Sequence, residues 1–194
     1  MSQHKHYILH KPFGYQSQFV SNAPKNHKQK FLGELFDFAE GTMSIGRLDE
    51  KSEGLLLLTT DGKVSNAITS TKFEKEYYVQ VDGLITQEAI AELEQGVEIG
   101  IHGKRYMTFP AKARCIDDPG FPERSRKVRD DRHGPTSWAS ITIREGKFRQ
   151  VRKMCAAVGF PVLRLIRVRI GDIHLGDLSP GEAKQVDGFE GVEL

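Results

Sequence analysis

At 194 residues, with 38% hydrophobic and 28% charged side chains, the chain is long enough for one substantial core or two small subdomains sharing one. No apolar run approaches the roughly 18 residues of a membrane span, and the N-terminus MSQHKHYILHKPFGY lacks both an apolar h-region and a small-residue cleavage site, so the expected protein is cytoplasmic and meets no membrane. The formal net charge of +2 points neither toward nor away from nucleic acid, and Cys115 and Cys155, far apart and outside any CxxC pair, argue against a disulfide framework or a zinc site.

The chain opens with a strand-like Tyr7 to Leu9 that breaks at Pro12 and Gly14. VSNAPKNHKQK is polar and basic and reads as a loop; KFLGELFDF then reads as a short helix. Leu55 to Leu58, followed by two threonines and closed by Asp61-Gly62, reads as a short strand buried on both faces. KVSNAITST follows as a short helix and KEYYVQVDG as a strand rich in Tyr and Val that ends in a turn. The clearest helix is TQEAIAELEQG: Thr86 is a good N-cap, Glu88 suits the positive end, Ala89, Ile90 and Leu93 form one face, and Gly96 supplies the stop.

IDDPGFPERSRKVRDDRHGPTSW carries three prolines and mixes five acids with five bases, so residues 116–137 are expected to form a mobile surface loop. WASITIREG alternates as a strand. In GKFRQVRKMCAAVGFP, Val151, Met154, Cys155 and Val158 have the spacing of a buried helical stripe, with Gly159 and Pro161 marking its end. Arg149, Arg152 and Lys153 fall on the opposite side of that helix. VLRLIRVRIG then places Arg167 and Arg169 on a strand face with Leu163 and Leu165. Strands and helices mix without a regular βαβ rhythm, so the class is α+β with a largely antiparallel sheet.

Two features carry chemistry. Between Lys147 and Asp172 seven basic residues face one acid, a local basic patch on an otherwise balanced protein, whereas Gly176 to Leu194 leans acidic. Charges on a helix are usually solvated, but arginine repeated on the following strand favours phosphate or carboxylate contacts. The second feature is MSIGRLDEKSEGLLLLTTDG, where a Gly-led loop delivers Asp49, two residues after Arg47, to the edge of the leucine strand. An Arg and an Asp so spaced are most often a solvated loop pair. A half-buried Asp beside a guanidinium would instead remain an ionised, competent carboxylate at neutral pH. No P-loop, GxGxxG or GxSxG occurs.

GRLDEKSEGLLLLTTDG, KEYYVQVDG, EGKFRQVRKMCAAVGFPVLRLIRVRIG and LGDLSPGE together resemble the pseudouridine synthases of the ribosomal small-subunit type, in the family's order and from about Tyr7 to Glu182. The resemblance implies the pseudouridine synthase catalytic fold: a mixed, largely antiparallel sheet with flanking helices and two ferredoxin-like subdomains. It implies one catalytic domain over 1–194, with a core of about 5–182. It also implies a cofactor-free isomerisation of a uridine in RNA, with no metal. The family nucleophile maps onto Asp49, its tyrosine onto Tyr77 with Lys75 before it, and its basic partner onto Arg152. The Tyr77 ring would stack on the target base and its hydroxyl relay the C5 proton. Arg47 suits RNA backbone or the opened base site, Arg149, Lys153 and Arg169 suit phosphate, and Leu165 would form part of the apolar wall beneath the base. The uridine is expected to be flipped into the pocket.

Many relatives carry an N-terminal S4 RNA-binding domain, whereas this chain starts directly at YILHKPFGY. With the KPFGYQSQF and GPTSW blocks, it looks most like the E-type branch that modifies 23S large-subunit rRNA. Lys147 and Phe148 stand where relatives usually show Arg and Asn. The partner expected is large-subunit rRNA or its precursor, met by a monomer. Small-subunit rRNA or tRNA as substrate, and a non-catalytic RNA-binding or ribosome-assembly module, are the alternatives. Retention of Asp49, Tyr77 and Arg152 together favours the enzyme, because binding alone does not require a carboxylate beside a phosphate track.

Overall fold

The computed structural model describes residues 4–20, 29–70, 73–129 and 131–192. In chain order the strands are β1 (His6–Lys11), β2 (Met43–Ile45), β3 (Glu53–Thr59), β4 (Lys75–Asp82), β5 (Glu98–Ile101), β6 (Lys104–Met107), β7 (Lys112–Ile116), β8 (Thr136–Ile143), β9 (Val162–Ile170), β10 (Ile173–His174) and β11 (Ala183–Val186). The helices are α1 (Gly62–Thr69), α2 (Gln87–Gln95) and α3 (Gln150–Ala157). The chain divides into two compact units, Met1–Phe73 with Arg167–Leu194, and Glu74–Ile166. The α+β class is observed.

The first unit is built on β3, whose seven residues are all buried. Buried on both faces, such a strand reads as a continuous apolar run rather than an alternation. It pairs antiparallel with β1, matching Tyr7 to Leu58 and Leu9 to Leu56, and with β2. β1 also pairs antiparallel with β11, so part of the acidic C-terminal stretch serves as a sheet strand. Asp61 caps α1 by accepting from Lys63 N at 2.8 Å.

On one face of this unit Tyr7, Leu9, Leu32, Leu56 and Leu58 form a core joined by Phe19, Leu35 and Phe38. Here the expected helix over KFLGELFDF is replaced by a single 3-10 turn, Leu32–Glu34. The reason lies in the aromatic rings: Phe38 meets Tyr7 edge-on at 5.1 Å and Phe19 at 5.4 Å, and Ala39 N donates to the Tyr7 hydroxyl. Edge-to-face packing of three rings fixes the chain more strongly than its modest helix propensity. Most of the expected VSNAPKNHKQK loop, residues 21–28, lies outside the described residues.

In the second unit β8 lies between β4 and β7, antiparallel to both. α2 is capped as its sequence predicts, Thr86 Oγ1 accepting from Ala89 N and Gly96 ending the helix at φ +91. Beyond it β5 and β6 form an antiparallel hairpin whose two turn residues, His102 and Gly103, both have positive φ (47° and 77°), as a tight primed turn requires. Val151, Met154 and Cys155 of the α3 stripe are buried as their spacing predicts, and Val158, the C-cap, is half-buried against the same core. Val79, Val81, Leu93, Ile141, Met154 and Leu165 are among the core residues.

Among its described residues, the segment between β7 and β8 has one 3-10 turn, Asp131–His133. Arg124 Nη1 donates to the Leu163 carbonyl, Arg164 Nη2 to that of Pro122, and Arg129 Nη2 reaches the Asp82 carboxylate at 2.8 Å. Three guanidinium groups thus fasten this apolar-poor segment where a hydrophobic contact would otherwise be needed.

Gly96 and Gly100 give a matched test of backbone constraint. A Cβ at Gly96 would meet the Thr108 carbonyl oxygen at a positive φ, whereas at Gly100 it would meet nothing. Gly96→Ala is expected to lower the unfolding free energy by about 1–3 kcal/mol in urea titrations, and Gly100→Ala to leave it within about 0.5 kcal/mol.

Candidate active site

Asp49 is half-buried on the loop between β2 and β3, and Arg47 on the same loop is exposed. The loop opens at Gly46, with φ +67, a conformation that L side chains rarely adopt. Its neighbours on either side of Asp49 are pinned. Ser17 Oγ donates to the Leu48 carbonyl at 2.7 Å and accepts from Leu48 N at 3.0 Å. The Glu50 carbonyl accepts from Gly14 N at 2.8 Å, and the Glu50 carboxylate from Gln16 Nε2 at 2.9 Å. Ser52 N closes the turn onto the Asp49 carbonyl.

Lys11, at the end of β1, completes this arrangement. Its side chain is fully buried, and Nζ donates to the carbonyls of Tyr15 at 2.8 Å, Pro12 at 3.0 Å and Glu50 at 3.4 Å. Burial drives the ammonium down to about 7, against the opposing pull of Glu53, Glu50 and Asp49. The Asp49 carboxylate therefore has a cation within Coulombic range in its own unit, and it is a lysine that sequence reasoning passed over. A lysine ending a core strand just before Pro12 and the Gly14 turn was the available signal.

Arg169 also belongs to the first unit, where Nη1 donates to the Gly171 carbonyl at 2.8 Å. Arg167 is buried rather than presented on a strand surface: its Nε donates to the Leu55 carbonyl at 2.8 Å, tying β9 to the leucine strand. Arginine repetition along β9 is thus partly structural, and Arg164 is likewise buried, spent on Pro122.

The remaining predicted site residues lie in the second unit. Lys75 and Tyr77 are on β4, opposite Ile143 and Ile141 of β8, and being two apart they share a face. Tyr77 packs against the core cluster of which Leu165 is one member. Lys75 is buried, with Nζ 3.4 Å from the Arg144 carbonyl. On α3 the three cations differ: Arg149 is exposed, Lys153 Nζ donates to the Gly100 carbonyl at 2.7 Å, and Arg152 is half-buried with Nη1 3.4 Å from the Val162 carbonyl. Arg152 therefore reaches toward β9 and Lys153 toward β5, while Arg149 is exposed.

What fixes the start of α3 was also missed. Glu145 is buried and accepts from Phe109 N at 2.6 Å, Gln150 Nε2 at 2.9 Å and the Tyr106 hydroxyl at 3.2 Å, while Gln150 Oε1 accepts from Lys147 N. A carboxylate so satisfied can be buried at tolerable cost. Cys155 is no nucleophile, because burial pushes its thiol up to about 12.

The family model for RNA pseudouridylate synthases matches residues 5–157. The chain belongs to that family. It is 42% identical to the ribosomal large subunit pseudouridine synthase E of Vibrio parahaemolyticus over 92% of this chain and 72% of that protein. It is 41% identical to the protein of the same name from Xanthomonas axonopodis pv. citri over 89% of each. A crystal structure of a pseudouridylate synthase has a TM-score of 0.74 at 30% identity, covering 96% of this chain and 71% of that one. Members of the family are isomerases, and their fold is the one described above.

Lys11 yields a pH test. An unfolded lysine titrates near 10.5 and the folded one near 7, so between those values the unfolded chain binds the extra proton and the unfolding free energy rises with pH; below 7 the cost of burying the charge is present in full. From pH 7 to 9, urea unfolding of the wild type should gain about 2 kcal/mol relative to Lys11→Met. Parallel pH curves for the two proteins would show that Lys11 releases no proton on folding.

Proposed function

We propose that the protein converts a specific uridine of 23S large-subunit rRNA to pseudouridine, acting in the cytoplasm as a monomer and without a cofactor. Relatives named for large-subunit modification, matched over most of both chains, support the substrate class. The observation that carries the chemistry is the loop Gly46–Ser52, which bonds to Ser17, Gly14 and Lys11 hold on both sides of one half-buried carboxylate. A carboxylate repels phosphate, so RNA binding gives no reason to fix one in place; chemistry at the nucleoside does.

In this reading the Asp49 carboxylate is the nucleophile. The C1′–N1 bond breaks, the uracil turns, a C1′–C5 bond forms, and the C5 proton leaves as N1 gains one. Tyr77, packed at the edge of the core cluster that includes Leu165, stacks on the base and relays the C5 proton. Arg152 supplies cationic charge at the reacting nucleoside, and Arg47 holds the RNA around it, whereas Lys75, buried beside the Arg144 carbonyl, supports the strand that carries Tyr77. Arg149, Lys153 and Arg169 contact backbone phosphates.

Asp49→Ala should abolish tritium release from C5-labelled uridine in 23S rRNA while leaving RNA affinity and melting temperature near wild type. Turnover near wild type in the well-folded variant would defeat the reading. The substrate is tested separately by mapping pseudouridine in rRNA from a strain lacking the protein: a large-subunit site should disappear, and loss confined to small-subunit rRNA or tRNA would reassign it. Replacing Arg149, Lys153 or Arg169 singly with Ala should weaken RNA binding and reduce the slope of log affinity against log salt by about 0.7–0.9.

A further inference from the structure

Phe148, two residues before the first residue of α3, is 58% exposed. An exposed phenylalanine at the head of a cationic helix is explained neither by the core nor by solubility. Its ring lies nearly parallel to that of His102 at the tip of the β5–β6 hairpin, with centroids 6.1 Å apart and planes 21° apart. Lys153 Nζ sits 5.2 Å from the Phe148 ring centroid, and Lys147 Nζ 5.0 Å from that of Tyr106. Lys104, Arg105 and Arg149, within three residues of one ring or the other in sequence, are exposed. The nearby acids are engaged: Glu98 pairs with Arg105 at 3.3 Å, and Glu145 is buried in its three hydrogen bonds.

This corner is also rigidly built. His102 and Arg149 are the two non-glycine residues with positive φ among the described residues; the first is one ring of the pair and the second directly follows the other in sequence. Backbone of that kind persists only where its surroundings over-determine it. Those surroundings are visible: Lys153 Nζ bonds the Gly100 carbonyl, joining helix to hairpin, and the Glu145–Gln150 network fixes the turn that carries Phe148. Parallel aromatic rings held outward among cations match the demands of an unstacked base with a phosphate on either side.

We propose that Phe148 and His102 form a stacking platform for an unpaired RNA base, whose flanking phosphates are met by Lys104, Lys147 and Arg149. This rests on the reading of the protein as an enzyme acting on RNA, and it adds a nucleotide subsite outside the residues assigned to the isomerisation.

The probe is a fluorescein-labelled single-stranded oligoribonucleotide of about ten nucleotides, titrated by anisotropy at several salt concentrations. Phe148→Ala should weaken binding by about 5- to 100-fold with the salt slope unchanged, because it removes stacking and no charge. Phe148→Tyr should bind as the wild type does, and Phe148→Leu should resemble Phe148→Ala. Wild-type affinity in a folded Phe148→Ala protein, or full affinity in Phe148→Leu, would overturn the platform, as would an RNA-insensitive patch that takes up an acidic peptide instead. Tritium release from 23S rRNA is read alongside. If Phe148→Ala binds as wild type and wild-type turnover is intact, the platform alone fails; absence of turnover in the wild type defeats the proposed function itself.

Discussion

A buried ammonium group sets the terms for the first unit. Lys11 is taken wholly out of water, and that cost is offset because its amine meets three backbone carbonyls and lies within Coulombic range of three carboxylates. Two of the carbonyls belong to the turn that follows β1, and the third to Glu50, next to Asp49. Desolvation therefore becomes a positional constraint: the amine has no water to fall back on, so the turn and the Asp49 loop must stay where they satisfy it. Ser17 adds a second point of attachment on the other side of Asp49, accepting from and donating to the same residue. With β3 buried on both faces behind it, the loop has little freedom left.

A comparable device operates in the second unit with the opposite charge. Glu145 is enclosed and accepts three hydrogen bonds, one of which comes from Gln150 at the first turn of α3. The result is a helix start whose backbone enters from the left-handed conformation at Arg149 without a side-chain cap. In both units a single buried ionisable group, satisfied by backbone and neighbouring side chains, fixes a polar segment that hydrophobic packing alone could not place. Such a group is costly if any partner is lost, which makes these segments sensitive to substitution at positions well away from the reacting groups.

Much of this was legible in the sequence. The leucine run, the capped α2, the strand KEYYVQVDG and the stripe of α3 follow from periodicity and capping, and each is found where expected. What escaped was decided by tertiary contacts. The KFLGELFDF segment gives up helix for an aromatic cluster assembled from residues distant in the chain. The short strands β5, β6 and β7 carry too few apolar residues to announce themselves, and the hairpin between the first two depends on a His-Gly turn. Arg167 looked like a surface cation because strand alternation cannot reveal that a guanidinium will be spent on a core carbonyl. Asp49 was recognisable from its motif, but its nearest scaffolding, Lys11 and Ser17, lies more than thirty residues away in sequence and carries no signature of its own.

The central claim is that turnover depends on holding the Asp49 loop still as well as on the carboxylate itself. The most direct test is single-turnover tritium release by Ser17→Ala, which removes the hydroxyl that bonds the Leu48 backbone and leaves every charge in place. Loosening the loop should lower the rate by at least about tenfold, with RNA affinity unchanged and the fold intact by thermal melt. A wild-type rate in folded Ser17→Ala protein would contradict the account.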